Sequence, residues 1–331
     1  MPDMTVPQKI VVYSLGGTIA MVPHDQGIEV GLTGPDMIED LQWALPGVLT
    51  ECVGFRNVPS GDLTFEDIAD LARQISVKLR QGSDGAVIIQ GTDTMEEVAF
   101  MLDLLLNEQK PVVVVGALRH HQQAGADGPA NLLDALRAAS SPSMRELGVL
   151  VVMNEQIHAA RFVRKSHTHN VAGFVSPIVG PLGWIIEGCP QLLVRPTRTS
   201  PILEWRGNHP RVTQVNVGFD FDAEVLEMLL ERGADGIVLA GLGGGHIPAK
   251  AVDTVTRLAR KIPVVLTSRT GSGAIMTQTY GYPGGEIDLL KRGLIYGSFL
   301  DSAKARILLT LLLGEGADRE RIAATFCRYA F

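Results

Sequence analysis

The sequence predicts an α/β protein of two domains, a larger N-terminal and a smaller C-terminal one, each built on a mainly parallel sheet flanked by helices. Three observations predict it. Short apolar, β-branched runs alternate with amphipathic stretches of helical period. The alternation stops once, in a proline-punctuated stretch. A chain of 331 residues with 46% hydrophobic side chains exceeds one ordinary core and suits two.

The apolar runs lie at residues 10–15, 86–90, 111–118, 147–153, 212–217, 236–240 and 262–267. Nearly continuous runs of this kind suit strands covered on both faces. Helices are expected at residues 64–80, 94–106, 131–139, 223–232, 250–260 and 302–313. The first opens with Thr64 and Asp67 at capping-box spacing, then sets Ile68, Leu71, Ala72, Ile75 and Leu79 on one face. Pro196, Pro201 and Pro210 interrupt an aperiodic stretch, read as a linker over residues 193–211. It separates an N-terminal domain, residues 6–192, from a C-terminal domain, residues 212–331.

A net charge of −7 without a basic run disfavours nucleic-acid binding. No stretch reaches the ~20 apolar residues of a membrane span. The first residues lack the basic start, apolar run and small-residue cleavage site of a secretion signal, so a cytoplasmic location is expected. Cys52, Cys189 and Cys327 are too scattered for a disulfide framework or a metal site, and are read as small buried side chains. The pairs His120–His121 and His167–His169 lack a carboxylate or cysteine to complete a ligand set, so no metal is expected. Gly241–Gly245 departs from a dinucleotide loop because His246 stands where the last glycine belongs, so no cofactor is expected.

In doubly wound sheets ligands bind beyond the carboxyl ends of strands. Two such ends stand out. Gly16 and Gly17 lead to Thr18, a hydroxyl at the sheet edge. Gly91, Thr92, Asp93 and Thr94 lead into the second helix, whose first amides suit a carboxylate while Asp93 suits an ammonium. Either end alone is equally an ordinary turn or helix cap.

Together they resemble a known pattern. SLGGTIAM at residues 14–21 and IIQGTDTMEEVAFMLDLLL at 88–106 are similar to the two signatures of the bacterial L-asparaginase family. KPVVVVGALR, ADGPANLLDA, GVLVVMN, RFVRKSHT, DGIVLAGLGGG and SRTGSG extend the likeness over essentially the whole chain. The resemblance implies an amidohydrolase that converts asparagine to aspartate and ammonia, without cofactor, through an acyl-enzyme on Thr18. It implies a second catalytic group of Thr92, Asp93 and Lys165. Ser60 is implied to hold the substrate carboxylate, Asp93 its ammonium, and Gly17, Thr92 and Ala117 its other contacts. It further implies a homotetramer made of intimate dimers, each site completed by a neighbouring C-terminal domain.

The chain departs from the family pattern in four places. The family carries a tyrosine in the segment after its first signature; here residues 21–34 hold none, and Ile28 takes its place. His24, Asp25, Glu29 or a group from elsewhere must then activate the nucleophile. Gly61 and His246 stand where glutamine and asparagine are common. The acidic residue expected from a neighbouring subunit falls in a segment offering Tyr280, Tyr282 and Glu286. Activity on another small amide, or ligand binding without turnover, are the alternatives these departures leave open.

Overall fold

The computed structural model describes residues 7–17, 19, 21–24, 27–30, 38, 39, 41–198 and 200–329. The chain divides into two compact units, Met1–Arg198 and Thr199–Phe331. Both are α/β, as the alternation of runs predicts.

In the first unit the strands are β1 (Gln8–Ser14), β2 (Met21–His24), β3 (Gly27–Val30), β4 (Val48–Gly54), β5 (Gly85–Ile89), β6 (Val112–Val115), β7 (Val149–Met153), β8 (Gln156–Ala159), β9 (Arg164–Lys165), β10 (Phe174–Val175), β11 (Gly183–Ile186) and β12 (Cys189–Leu192). Eight form one sheet in the order β12-β11-β8-β7-β6-β5-β1-β4. The half from β7 to β4 is parallel, and the half from β7 to β12 is antiparallel. Strands β5, β6 and β7 are buried throughout, which accounts for their unbroken Val and Ile runs. The helices are α1 (Phe65–Arg80), α2 (Met95–Leu105) and α3 (Gly128–Ser140). Helix α1 buries the stripe the spacing predicts, Ile68, Leu71, Ala72, Ile75 and Leu79, together with Ala69. Each of its large side chains contributes about 1.5–3 kcal/mol of transfer free energy.

The second unit carries β13 (Val212–Asn216), β14 (Gly236–Gly241), β15 (Val264–Ser268) and β16 (Ile295–Tyr296), paired in that order and all parallel. Around them lie α4 (Glu224–Glu231), α5 (Val252–Ala259), α6 (Glu286–Lys291), α7 (Ser302–Gly314) and α8 (Arg319–Cys327). Ile237, Leu239, Val255, Leu258, Leu266 and Leu289 share its core.

Some local expectations are corrected. The run at 111–118 is a strand only from Val112 to Val115; the chain leaves the sheet at Gly116, whose carbonyl accepts from the Asn131 side chain. Cys189 and Cys327 are exposed and Cys52 half-buried, not core residues. No helix among the described residues is long and apolar enough to cross a membrane.

Candidate active site

The site is built where the ends of β1, β5 and β6 meet. Gly16 and Gly17 adopt φ of +100° and +96°, a backbone closed to side chains. A Cβ on Gly17 would lie 2.2 Å from the amide nitrogen of Gly91, and one on Gly91 would lie 3.0 Å from Oγ of Ser60. The backbones at Gly17 and Gly91 therefore pack directly against each other, with the Ser60 side chain against Gly91. The amide of Leu15 donates to the Ile89 carbonyl at 2.8 Å, and that of Val58 donates to the Leu15 carbonyl at 3.2 Å. This brings Gly17, Ser60 and the Thr92 segment to one edge.

Thr92 and Asp93 follow β5 and precede α2. Lys165 reaches them from β9, a two-residue strand paired with β10 through Phe174. Its ammonium Nζ donates to Oγ1 of Thr92 at 2.9 Å and to Oδ1 of Asp93 at 2.6 Å. Thr92 is buried, the Lys165 side chain is 15% exposed, and that of Asp93 is 82% exposed. One cation is thus anchored to a buried hydroxyl and to a carboxylate open to any incoming group. Ala117 is fully buried just past β6, and a Cβ on Gly116 would sit 3.0 Å from the methyl of Thr92.

Thr18, the expected nucleophile, lies outside the described residues, as does Asp25. Residues 21–24 and 27–30 pair as an antiparallel ladder in which Pro23 faces Ile28.

A second cluster lies in the second unit. Nε2 of His246 is 3.1 Å from Oε2 of Glu286, and Nδ1 is 3.1 Å from the hydroxyl of Tyr282. The Tyr280 ring packs edge-on at 4.9 Å from the imidazole. Glu286 is fully buried. Burial acts to raise its carboxyl, but amides of Tyr280 and Thr279, its own amide and His246 outweigh that and hold it below the usual range. An ionised carboxylate accepts only, so Nε2 of His246 donates to it.

Sequence reasoning did not single out several supporting residues. Asp127 accepts the amides of Leu118 and Arg119 at 2.8–3.1 Å, shaping the turn after Ala117. Asn131 donates to the Gly116 carbonyl at 3.1 Å and accepts the Asn154 amide at 2.9 Å. Both lie in the ADGPANLLDA segment, where a buried asparagine in a helix's first turns was the available signal. Thr94 donates its hydroxyl to the Ser60 carbonyl at 2.9 Å, and Glu96 accepts the backbone amide of Lys165. The pair His167 and His169, already weighed from the sequence, stacks edge to face at 4.7 Å, with the ring of His167 accepting backbone amides of His169 and Asn170.

Comparison with known proteins identifies the family. Residues 9–198 match the asparaginase N-terminal family model, and residues 211–326 match the glutaminase/asparaginase C-terminal domain. The chain is 37% identical over 339 residues to a probable L-asparaginase of Deinococcus radiodurans, covering 99% of each. It is 34% identical over 325 residues to an L-asparaginase of Bacillus licheniformis, covering 97% of this chain and 99% of the relative. A crystal structure of a probable cytoplasmic L-asparaginase from Campylobacter jejuni superposes with a TM-score of 0.88 at 30% identity, covering 97% of this chain and all of that one. The chain belongs to the asparaginase family.

Proposed function

We propose that the protein hydrolyses L-asparagine to L-aspartate and ammonia in two steps through an ester on Thr18. The observation that carries this is the single ammonium of Lys165 bridging Thr92 Oγ1 and Asp93 Oδ1. In the first step the Thr18 hydroxyl attacks the side-chain amide carbon, its proton passes to the departing nitrogen, and ammonia leaves. In the second, water attacks the ester carbonyl, and its proton returns to the Thr18 oxygen as aspartate departs.

A threonine hydroxyl is a weak nucleophile and needs a proton acceptor beside it. In its uncharged form Lys165 is proposed to take the Thr18 proton through Thr92 and return it to the departing nitrogen, while the exposed Asp93 carboxylate beside it holds the substrate's α-ammonium. Ser60, and the backbone at Gly17, Thr92 and Ala117, are proposed to hold the rest of the amino acid.

His246, Tyr280, Tyr282 and Glu286 are proposed to complete a neighbouring copy's site. Among them the hydroxyl of Tyr282 is joined to His246 and, through it, to Glu286, while residues 21–34 contain no tyrosine. This reading carries with it a homotetramer of intimate dimers and a cytoplasmic location. It also treats residues 6–192 and 212–331 as the functional domains, with 193–211 between them.

A second reading, hydrolysis of a bulkier small amide, is favoured by Gly61. A Cβ there meets nothing within 4 Å, so the position beside Ser60 is open space.

Ammonia release from asparagine, glutamine and a panel of small amides separates the two readings. Thr18→Ala is expected to abolish turnover with the melting temperature unchanged, and mass spectrometry of a trapped intermediate is expected to place the adduct on Thr18. An adduct on Thr92 overturns the nucleophile assignment. If a bulkier amide is preferred, Gly61→Gln shifts preference back toward asparagine.

A further inference from the structure

Helix α2 begins with two side chains of the kind that close helix ends, Thr94 at the cap and Glu96 in the first turn, yet Thr94 makes no side-chain cap bond. Its backbone, at φ −115° and ψ 12°, is not extended as a capping threonine's is. The hydroxyl instead donates outward to the carbonyl of Ser60, 34 residues upstream, at 2.9 Å. The Glu96 carboxylate likewise turns outward and accepts the backbone amide of Lys165, 69 residues downstream. Immediately before Thr94 lie Thr92 and Asp93, which hold the other end of the same lysine.

We propose that Thr94 and Glu96 are positioning residues, the two jaws of a clamp by which the first turn of α2 sets Ser60 and Lys165 against the site. The proposal rests on the roles assigned above to those two residues. The need for a clamp is physical. Lys165 belongs to a two-residue strand outside the main sheet, and its flexible four-carbon stem would otherwise sweep a wide volume. Fixing its backbone from the same turn that receives its Nζ makes the distance between base and hydroxyl a property of one helix end. Ser60 starts a single short turn, Ser60–Asp62, and gains the same reference frame through Thr94.

The jaws act on different residues, so their loss should separate in steady-state kinetics on L-asparagine. Glu96→Asp keeps a carboxylate favourable to the helix N-terminus but withdraws it by one methylene. It is expected to lower kcat about 10–100-fold with KM within about twofold, since ångström misplacements cost that much. Glu96→Ala should fall as far, and Glu96→Gln, which keeps an acceptor oxygen at full reach, should recover most of the loss. Thr94→Val should raise KM about tenfold with kcat little changed, and Thr94→Ser should recover it. Melting temperatures taken in parallel exclude unfolding as the cause. A merely structural role predicts kcat and KM moving alike, with no recovery by Gln or Ser, and would overturn the clamp. So would wild-type kcat in Glu96→Asp. Lys165→Met keeps the failures apart: full turnover in that variant removes the base assignment, whereas an inactive Lys165→Met beside a fully active Glu96→Asp removes the clamp alone.

Discussion

Helices α1 and α2 start with the same sequence signature and use it in opposite ways. Thr64 and Asp67 open one, Thr94 and Glu97 the other, both at capping-box spacing. At α1 the box closes: the Asp67 amide donates to the Thr64 hydroxyl at 3.2 Å, and the Thr64 amide donates to the Asp67 carboxylate at 3.0 Å. At α2 the threonine hydroxyl reaches away to Ser60. The difference follows from what else holds each helix. Helix α1 buries one face only, whereas from Val98 to Leu104 every residue of α2 is buried. Arg198 also donates to the carbonyls of Asp103 and Leu106 at its far end. Packing of that extent supplies most of a helix's stability, so α2 keeps its form without the cap. Its Thr94 hydroxyl serves a neighbour instead.

The largest effect expected at either helix start comes from the group that α2 receives. Lys165→Met should reduce asparagine turnover by ~10²–10⁴, the usual contribution of a positioned acid–base group. Its melting temperature should change little, because the partner Asp93 is already exposed to water. No substitution in the α1 box should come near this loss. A comparable fall in kcat from Thr64→Ala would dissolve the distinction between the two helix starts.

How far the sequence discloses this depends on what burial leaves visible. The strands β5, β6 and β7 are covered on both faces, and their β-branched runs announce them. Strand β4 at the sheet's edge alternates half-buried and exposed residues, and the antiparallel β8, β11 and β12 are four residues each. Neither pattern rises above a loop's. The approach of Thr92, Asp93 and Lys165, more than 70 residues apart, was legible only through resemblance, since Lys165 sits in a basic cluster that reads as a solvated surface. Glu96 was invisible for another reason. A glutamate in a helix's first turn is what dipole and capping rules expect anyway, so its outward bond leaves no trace in the spacing.

Exchanging the two threonines for alanine sharpens the comparison at an intermediate scale. Thr64→Ala should cost about 1 kcal/mol of stability, the usual worth of a satisfied cap, with kcat and KM unchanged. Thr94→Ala loses no cap bond but does lose the bond to the Ser60 carbonyl, so it too should cost about 0.5–1.5 kcal/mol, while KM rises. Chemical denaturation read beside asparagine kinetics checks both. An unchanged KM in Thr94→Ala would mean that its hydroxyl, like that of Thr64, serves the helix alone.

The smallest effect is the pH dependence of the closed box. Burial acts to raise the Asp67 carboxyl, but hydrogen bonds from the Thr64 amide and hydroxyl and from Arg56, with the charge of Arg56, outweigh it and hold it below its ordinary value. A carboxyl depressed on folding adds stability that is complete above its unfolded pKa of ~4 and is lost as pH falls through the folded one. Asp67→Asn, which keeps an acceptor oxygen and removes the charge, should therefore be less stable than the parent at pH 7. The gap, about 0.5 kcal/mol for a pair whose arginine is 41% exposed, should close as the solution is acidified below pH ~4. His158 contributes a larger slope of its own. Burial drives its pKa down to about 4, so the unfolded chain binds the extra proton between pH ~6.5 and 4, and stability falls as pH falls through that window. That slope is common to parent and variant and cancels in their difference. What remains is the α1 box alone, and a difference that stayed constant from pH 7 to pH 2.5 would show that the Asp67 charge has no part in it.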